Sequence, residues 1–285
     1  MRVLVTGSSG RLGGEVAAQL EARGHDAVGL DRAPSRWTRL IGNVEDRGLV
    51  ERAMDGAEAV VHTASLHAPD VGRVPDWAFV AANVDGTSGL LEAAAACGVR
   101  RFVYTSTTSI YGHALVPADR ADWVTEDLPP KPRDVYDVTK LAAEALCERF
   151  AREANLASIC LRTARFFPEA PEILAAHRLS RGIDVRDAAA AHVLAVENAT
   201  VDFSVFNVSA RSPFGETDLP ELLADAPRAI GRHFPWAEAA FAARGWTLPA
   251  SIDRVYVIAK AEAVLRYDPV HGFAALMRCP PALGG

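Results

Sequence analysis

Tyr136 and Lys140, in the run Tyr136-Asp137-Val138-Thr139-Lys140, have the types and spacing that most directly suggest chemistry. Four residues apart on a helix, they share one face, a turn from each other. An ammonium beside a phenol favours the phenolate and lowers a pKa that is about 10 in a model peptide. A phenol tuned in this way can give or take a proton at an alcohol or carbonyl carbon. A packed tyrosine beside a solvated lysine gives the same pattern, so the surroundings decide. Lys140 is one of three lysines, with Lys131 and Lys260, among thirty basic residues.

A second constellation is Thr6-Gly7-Ser8-Ser9-Gly10-Arg11-Leu12-Gly13, which follows an apolar run at 2–6. Glycines three apart at a strand-to-helix junction permit a tight turn, a close backbone approach to a pyrophosphate, and close helix–strand packing. The helix N-terminus then offers free N–H groups and a positive dipole end. Asp31 ends the second apolar run, at a distance that suits a carboxylate holding ribose hydroxyls. A carboxylate there repels a 2′-phosphate and favours NAD over NADP. Arg11, Arg32 and Arg36 could instead hold that phosphate, or simply be solvated.

The elements that must position these residues alternate. Apolar runs at 2–6, 27–30, 39–41, 59–62, 101–105 and 158–161 read as strands. Segments 11–23, 45–54, 77–97 and 135–154 read as helices. Such alternation implies parallel strands joined by crossover helices on both faces of the sheet. After Pro168 the pattern changes. Helices are expected at 185–197, 219–223, 236–244 and 259–266, with one strand-like run at 203–208 and with 188–191 as helical filler. The expected organisation is a nucleotide-binding domain at 1–165 and a small lobe at 166–285 over the sheet's carboxyl edge.

The chain of 285 residues is 49% hydrophobic and 23% charged, which fits a globular α/β protein. A net charge of -6 argues against a nucleic-acid partner. Cys97, Cys147, Cys160 and Cys279 form no Cys-x-x-Cys pair and read as buried thiols in a reducing compartment. No metal is expected, because the histidines are scattered. The first residues form a strand rather than a signal peptide, and no apolar stretch reaches the roughly 18 residues of a membrane span. A cytoplasmic location is expected.

With these residues in place the chain resembles an extended short-chain dehydrogenase/reductase of the NAD-dependent epimerase/dehydratase type. The resemblance covers about residues 1–210. It rests on the glycine motif, on His62-Thr63-Ala64-Ser65, on Asn83-Val84-Asp85-Gly86-Thr87, on the stretch Tyr104 to Gly112, and on the Tyr136–Lys140 run. It implies a doubly wound parallel Rossmann sheet with a small helix-rich C-terminal substrate lobe. It implies contacts to the cofactor from Gly7, Ser9, Gly10, Arg11, Leu12 and Gly13, and from Asp31 and Arg32. Asn43 and Val44 would meet the adenine, and Thr63, Ala64 and Ser65 the diphosphate and nicotinamide ribose. Asn83, Thr105, Tyr136, Lys140 and Phe166 complete that set.

Counting back from Tyr111-Gly112, the resemblance places the catalytic hydroxyl on Thr107, with Ser106 and Thr108 as neighbours. Tyr136 would be the acid/base, and Lys140 would lower its pKa and bind the ribose. His67, His113, Thr108 and Arg165 would border the substrate. Arg165 stands where the family usually has asparagine, in Leu161-Arg162-Thr163-Ala164-Arg165-Phe166-Phe167-Pro168. There it could bind a carboxylate or phosphate, or pair with a nearby acid. The segment from Pro168 to Gly182 is short for a nucleoside-diphosphate clamp, whereas Ser251 to Pro269 resembles the family's closing segment. The expected activity is NAD-linked hydride transfer at a secondary alcohol or ketone of a small polar or sugar-like substrate. Alternatives are a nucleotide-sugar epimerase or dehydratase with tightly bound NAD, and an NAD(P)-sensing regulator without turnover. A homodimer is expected through the helices at 77–97 and 135–154.

Overall fold

A computed structural model describes residues 1–278; Cys279 lies outside them. Seven parallel strands form the main sheet: β1 (Arg2–Thr6), β2 (Asp26–Asp31), β3 (Thr38–Ile41), β4 (Ala59–His62), β5 (Arg101–Thr107), β7 (Ala157–Thr163) and β8 (Phe203–Val208). Their order is β3-β2-β1-β4-β5-β7-β8. The chain winds outward from β1 in both directions, so the crevice at the carboxyl ends of β1 and β4 is the switch point where such sheets bind ligands. β6 (Asp122–Val124) and β9 (Arg254–Tyr256) pair separately.

Each face of the sheet is sealed by helices. On one side α1 (Arg11–Ala22) and α7 (Val185–Glu197) pack together over Val3, Val5, Val61 and Val103. α1 buries Leu12, Val16, Ala17 and Leu20, a stripe at helical spacing. Ala188, Ala189 and Ala191 of α7 have no exposure, so they are a packing face and not filler. On the other side α2 (Arg47–Ala53), α4 (Gly86–Ala96) and α5 (Val135–Glu153) cover Leu4, Val60, Phe102 and Tyr104. Each fully buried side chain of this size contributes about 1.5–3 kcal/mol relative to exposure.

The helix expected at 77–97 is three consecutive pieces: α3 (Asp76–Phe79), a π-helical turn (Val80–Asp85) and α4. The widened turn contains Asn83, whose amide is drawn to the Leu66 backbone and to Thr139. Helix α5 starts where Asp134 caps it, accepting from the Asp137 N–H at 2.9 Å.

The strand-like run at 203–208 is the edge strand β8 of the main sheet, so the chain returns to the sheet after leaving it. The rest of the C-terminal half forms a third apolar cluster with α6 (Pro171–Arg178), α8 (Leu219–Ala224), α9 (Ala226–His233), α10 (Ala237–Ala242) and α12 (Phe273–Arg278). α11 (Ala259–Leu265) packs back on β8 and α7. Helices α6, α9 and α12 had no counterpart among the expected elements. In α6 and α9 a proline, Pro171 and Pro227 respectively, sits in the first turn, where proline starts a helix. Cys97 is exposed at the end of α4, unlike the buried Cys147 and Cys160. Among the described residues, no helix is long and apolar enough to cross a membrane, and no group of three metal-ligating side chains is assembled.

Candidate active site

A cavity of about 770 Å³ runs along the carboxyl ends of the strands, from the glycine turn to the C-terminal lobe. At one end β1 turns into α1. Gly7 has φ +74°, and a Cβ there would lie 2.5 Å from Thr63 Oγ1. A Cβ on Gly13 would lie 2.1 Å from the Gly7 carbonyl oxygen, so only glycine lets α1 start this close to the strand. Gly10 caps α1 with no side-chain hydrogen bond, and the first turn carries no acid. Its leading N–H groups are therefore free for an anion.

Asp31 ends β2 at the rim. Its carboxylate accepts from the Ser9 N–H at 3.0 Å and the Ala33 N–H at 3.1 Å. Burial raises its pKa, but these hydrogen bonds outweigh it and hold the carboxyl below its ordinary value. Arg32, Asn43 and Val44 line the same end. Arg36 does not: its guanidinium stacks on Trp37 at 4.1 Å. Arg11 donates to the Phe166 carbonyl at 2.7 Å and so bridges the glycine turn to the loop after β7.

The middle of the cavity is walled by Thr63, Ala64 and Ser65 after β4, by Thr105 and by Phe166. A buried relay stands behind this wall. Thr87 Oγ1 donates to the Asn83 carbonyl at 2.7 Å and therefore accepts from His62 Nε2 at 3.0 Å. His62 Nδ1 then accepts from the Thr6 hydroxyl at 2.7 Å. Asn83 itself is 1% exposed and does not line the cavity. It holds the loop at Leu66 instead, accepting from that N–H at 2.8 Å. Ser9 is likewise outside the lining, its N–H turned to Asp31. Neutral His192, with Nδ1 donating to the Ala188 carbonyl, accepts the Thr105 proton at Nε2 over 2.8 Å. That leaves the Thr105 oxygen as an acceptor toward the cavity.

Tyr136, Lys140, Thr107 and Thr108 all line this cavity. Thr107 ends β5; its oxygen accepts from the Ser109 N–H at 3.1 Å, and its side chain stands near enough to the Tyr136 phenol to favour the phenolate. Ser106 is committed elsewhere, donating to Glu144. Of the three adjacent hydroxyls, Thr107 is thus the one that acts on the phenol. Burial pushes Tyr136 up to about 12; the Thr107 side chain opposes this, and Asp137 and Asp134 add to it. Burial pulls Lys140 down to about 7, opposed by Glu144, Cys147 and Cys160. The lysine ammonium lies 4.4 Å from the centre of the Tyr104 ring. The expected lowering of the phenol by Lys140 is therefore not what the protein alone does. Both groups are desolvated, and burial outweighs their mutual effect.

At the lobe end, Arg165 is paired with Glu169, Nε to Oε1 at 2.9 Å. The same carboxylate lies 3.1 Å from His177 Nδ1. Arg181 and Arg254 share Asp253, with Arg181 at 3.7 Å. His67 lines the cavity and His113 does not. Although the His67 side chain is solvent-accessible in the cleft, the enclosing walls and then the Lys140 charge hold it down to about 4. Arg133, Glu169, His177, Arg181, Arg254 and Tyr256 escaped sequence reasoning. They carry no local motif and reach the cavity only through the packing of the lobe.

The description "NAD dependent epimerase/dehydratase family" matches residues 3–183. A 3 beta-hydroxysteroid dehydrogenase/Delta 5-->4-isomerase from Mycobacterium tuberculosis is 36% identical over 160 residues, 50% of this chain and 41% of that protein. A UDP-glucose 4-epimerase from Corynebacterium glutamicum is 33% identical over 175 residues, 57% of this chain and 50% of that protein. The chain spans about half or less of the length of these curated relatives. A solved short-chain dehydrogenase/reductase superfamily protein from Agrobacterium tumefaciens with bound NAD has a TM-score of 0.71. That likeness covers 97% of this chain and 95% of the other at 22% identity, and it speaks to the fold. A match over most of the seven-stranded sheet, glycine turn included, makes this chain a member of the NAD dependent epimerase/dehydratase family.

Proposed function

We propose that this chain is an NAD-linked oxidoreductase acting at a secondary alcohol or ketone carbon of a small, polar, sugar-like substrate. The observation that carries the reading is the convergence of Thr107, Tyr136 and Lys140 in the cavity that begins at the glycine turn. The chain fits the cofactor. Gly7 and Gly13 leave no room for a Cβ, the α1 amides are uncapped, and Asp31 at the end of β2 lines the same cavity. Gly7, Gly10, Leu12 and Gly13 would hold the pyrophosphate. Asp31 would take the adenosine ribose, Asn43 and Val44 the adenine, and Lys140 the second ribose. NAD, when bound, supplies the hydride acceptor and a positive charge near the phenol.

In the oxidative direction Tyr136 would first give its own proton to solvent and then, as the phenolate, take the substrate hydroxyl proton, while Thr107 orients that oxygen. Lys140 keeps positive charge beside the phenolate that accepts it. Arg165, neutralised by Glu169, contributes position rather than free charge. The lobe formed from residues after 165 closes the far end of the cavity. Incubating the protein with NAD and a panel of aldoses, polyols and hydroxy acids tests the reading. NADH should accumulate, and Tyr136→Phe should slow it by about 10²–10⁴-fold. Unchanged turnover in that variant would refute the triad.

The match to a UDP-glucose 4-epimerase supports a second reading, in which hydride returns to the same substrate. Turnover of a nucleotide sugar without added NAD and without net NADH would favour it. We also propose a homodimer through α3 and α5. Trp77 and Val138 are 72% and 54% exposed on these helices, apolar surface that a partner would cover. Sedimentation should give a dimer for the wild type and a monomer for Val138→Glu. A monomeric wild type rejects the dimer.

A further inference from the structure

Glu144 lies one turn beyond Lys140 and two beyond Tyr136, on the same buried face of α5. The reaction proposed above does not use it. Its side chain is buried, and it meets Arg162 of β7 as a two-pronged ion pair, Nε to Oε1 at 3.1 Å and Nη2 to Oε2 at 2.8 Å. Oε1 also accepts from the hydroxyl of Ser106, the residue before Thr107. Arg162 donates through Nη1 to the Tyr111 hydroxyl at 3.1 Å, and Tyr111 donates to Asn207 of β8 at 2.7 Å. One carboxylate thus ties the helix bearing Tyr136 and Lys140 to the strand end bearing Thr107, with two more strands behind.

A buried ion pair is a poor source of stability, because the cost of desolvation offsets its attraction and apolar replacements are often neutral or better. Its geometry here suits another use. We propose that Glu144 is a positioning residue for the active site: through Arg162 and Ser106 it sets α5, with Tyr136 and Lys140, against the end of β5 that bears Thr107. This rests on the reading of Lys140 as a cofactor-binding cation.

The groups facing Lys140 are few. α5 presents Tyr136, Glu144 and Cys147, β5 presents Tyr104, and β7 presents Cys160, with Arg162 behind Glu144. His62 of β4, His67 of the following loop and His192 of α7 also feel its charge. Burial of His62 and His192, and the enclosing cleft walls around His67, hold these imidazoles at about 3, 4 and 4, so they are neutral at neutral pH. Burial likewise keeps both tyrosines and Cys160 protonated. Glu144 is the carboxylate in this set, and after burial it is the largest influence on Lys140. Removing it moves the lysine further down.

With three lysines in the chain, NMR of isotope-labelled lysine reads Lys140 directly, and calorimetry reads NAD affinity. Glu144→Gln strands the buried Arg162 charge and mixes a folding defect with a binding one, so the decisive variant is Glu144→Met with Arg162→Met. It should keep its melting temperature within a few degrees, titrate Lys140 at lower pH than wild type, and bind NAD roughly tenfold more weakly, as for coupled residues of one network. Should it fail to fold, Glu144→Asp carries the test: Lys140 titrates as in wild type while NAD binding weakens, because charge is kept and reach is lost. Lys140→Met should weaken NAD binding at every pH. If Lys140→Met is weak but the folded double variant (or Glu144→Asp in its place) binds NAD like wild type, the inference fails alone. If Lys140→Met binds normally, the reading of Lys140 fails and the inference with it.

Discussion

At the scale of single residues, the cavity sorts neighbours that look interchangeable in the sequence. Ser106, Thr107 and Thr108 are three consecutive hydroxyls, yet Ser106 is spent on Glu144 while Thr107 is the one that acts on the phenol. Thr107→Val should therefore lower kcat by roughly 10²-fold with little effect on NAD binding, within the range for a positioned hydrogen-bond donor. Steady-state kinetics beside NAD calorimetry checks this, and a loss confined to NAD affinity would count against it. Asp31 presents a carboxylate already organised by two backbone N–H groups. Asp31→Ala should weaken NAD by about tenfold or more while NADP changes little or improves, since a repulsive charge disappears. Parallel titrations with the two dinucleotides give the ratio directly. The phenol is the residue whose expected state was corrected, because proximity to lysine was legible in the sequence and burial was not.

At the scale of elements, two junctions hold the site in place. The β1–α1 turn is legible because its glycines are demanded by sub-van-der-Waals approaches within the chain. Gly13→Ala would set a Cβ 2.1 Å from the Gly7 carbonyl, and backbone cannot swing away as a flexible side chain can. The variant should fold with a lowered melting temperature and lose NAD binding by more than tenfold, the size of effect expected when backbone must shift in a packed site. Thermal melts and calorimetry together measure it. Wild-type affinity in this variant would mean that the turn is not the cofactor cradle. The second junction, the π-helical turn at Val80–Asp85, was not legible. Its sequence has ordinary helical periodicity, and the extra residue is accommodated only because Asn83 finds partners in Leu66 and Thr139 on other elements.

At the scale of the whole molecule, buried histidines link the fold to pH. His62 and His192 are almost fully buried, and desolvation holds them at about 3 and about 4, against 6.5 ordinarily. Between those values the unfolded chain binds protons that the folded chain does not. Stability is therefore full above about pH 6.5 and falls as pH drops through that window, each histidine contributing up to about 1.4 kcal/mol per pH unit. Urea unfolding at a series of pH values should show this slope, and His192→Gln should reduce it. A flat profile from pH 6.5 towards 4 would contradict the burial argument.

The sequence by itself determined the alternating strands and helices, the glycine turn, the carboxylate after β2 and the tyrosine–lysine pair. Each depends on neighbours a few residues away, through periodicity, backbone freedom or helix spacing. Tertiary structure decided what depends on distant segments. It joined β8 to the main sheet, made the alanines of α7 a contact surface for α1, and brought Arg181 and Arg254 to the substrate end. It also paired Arg165 with Glu169 and Glu144 with Arg162. Burial and long-range charge set the protonation of Tyr136 and Lys140, and neither quantity is encoded in a local spacing.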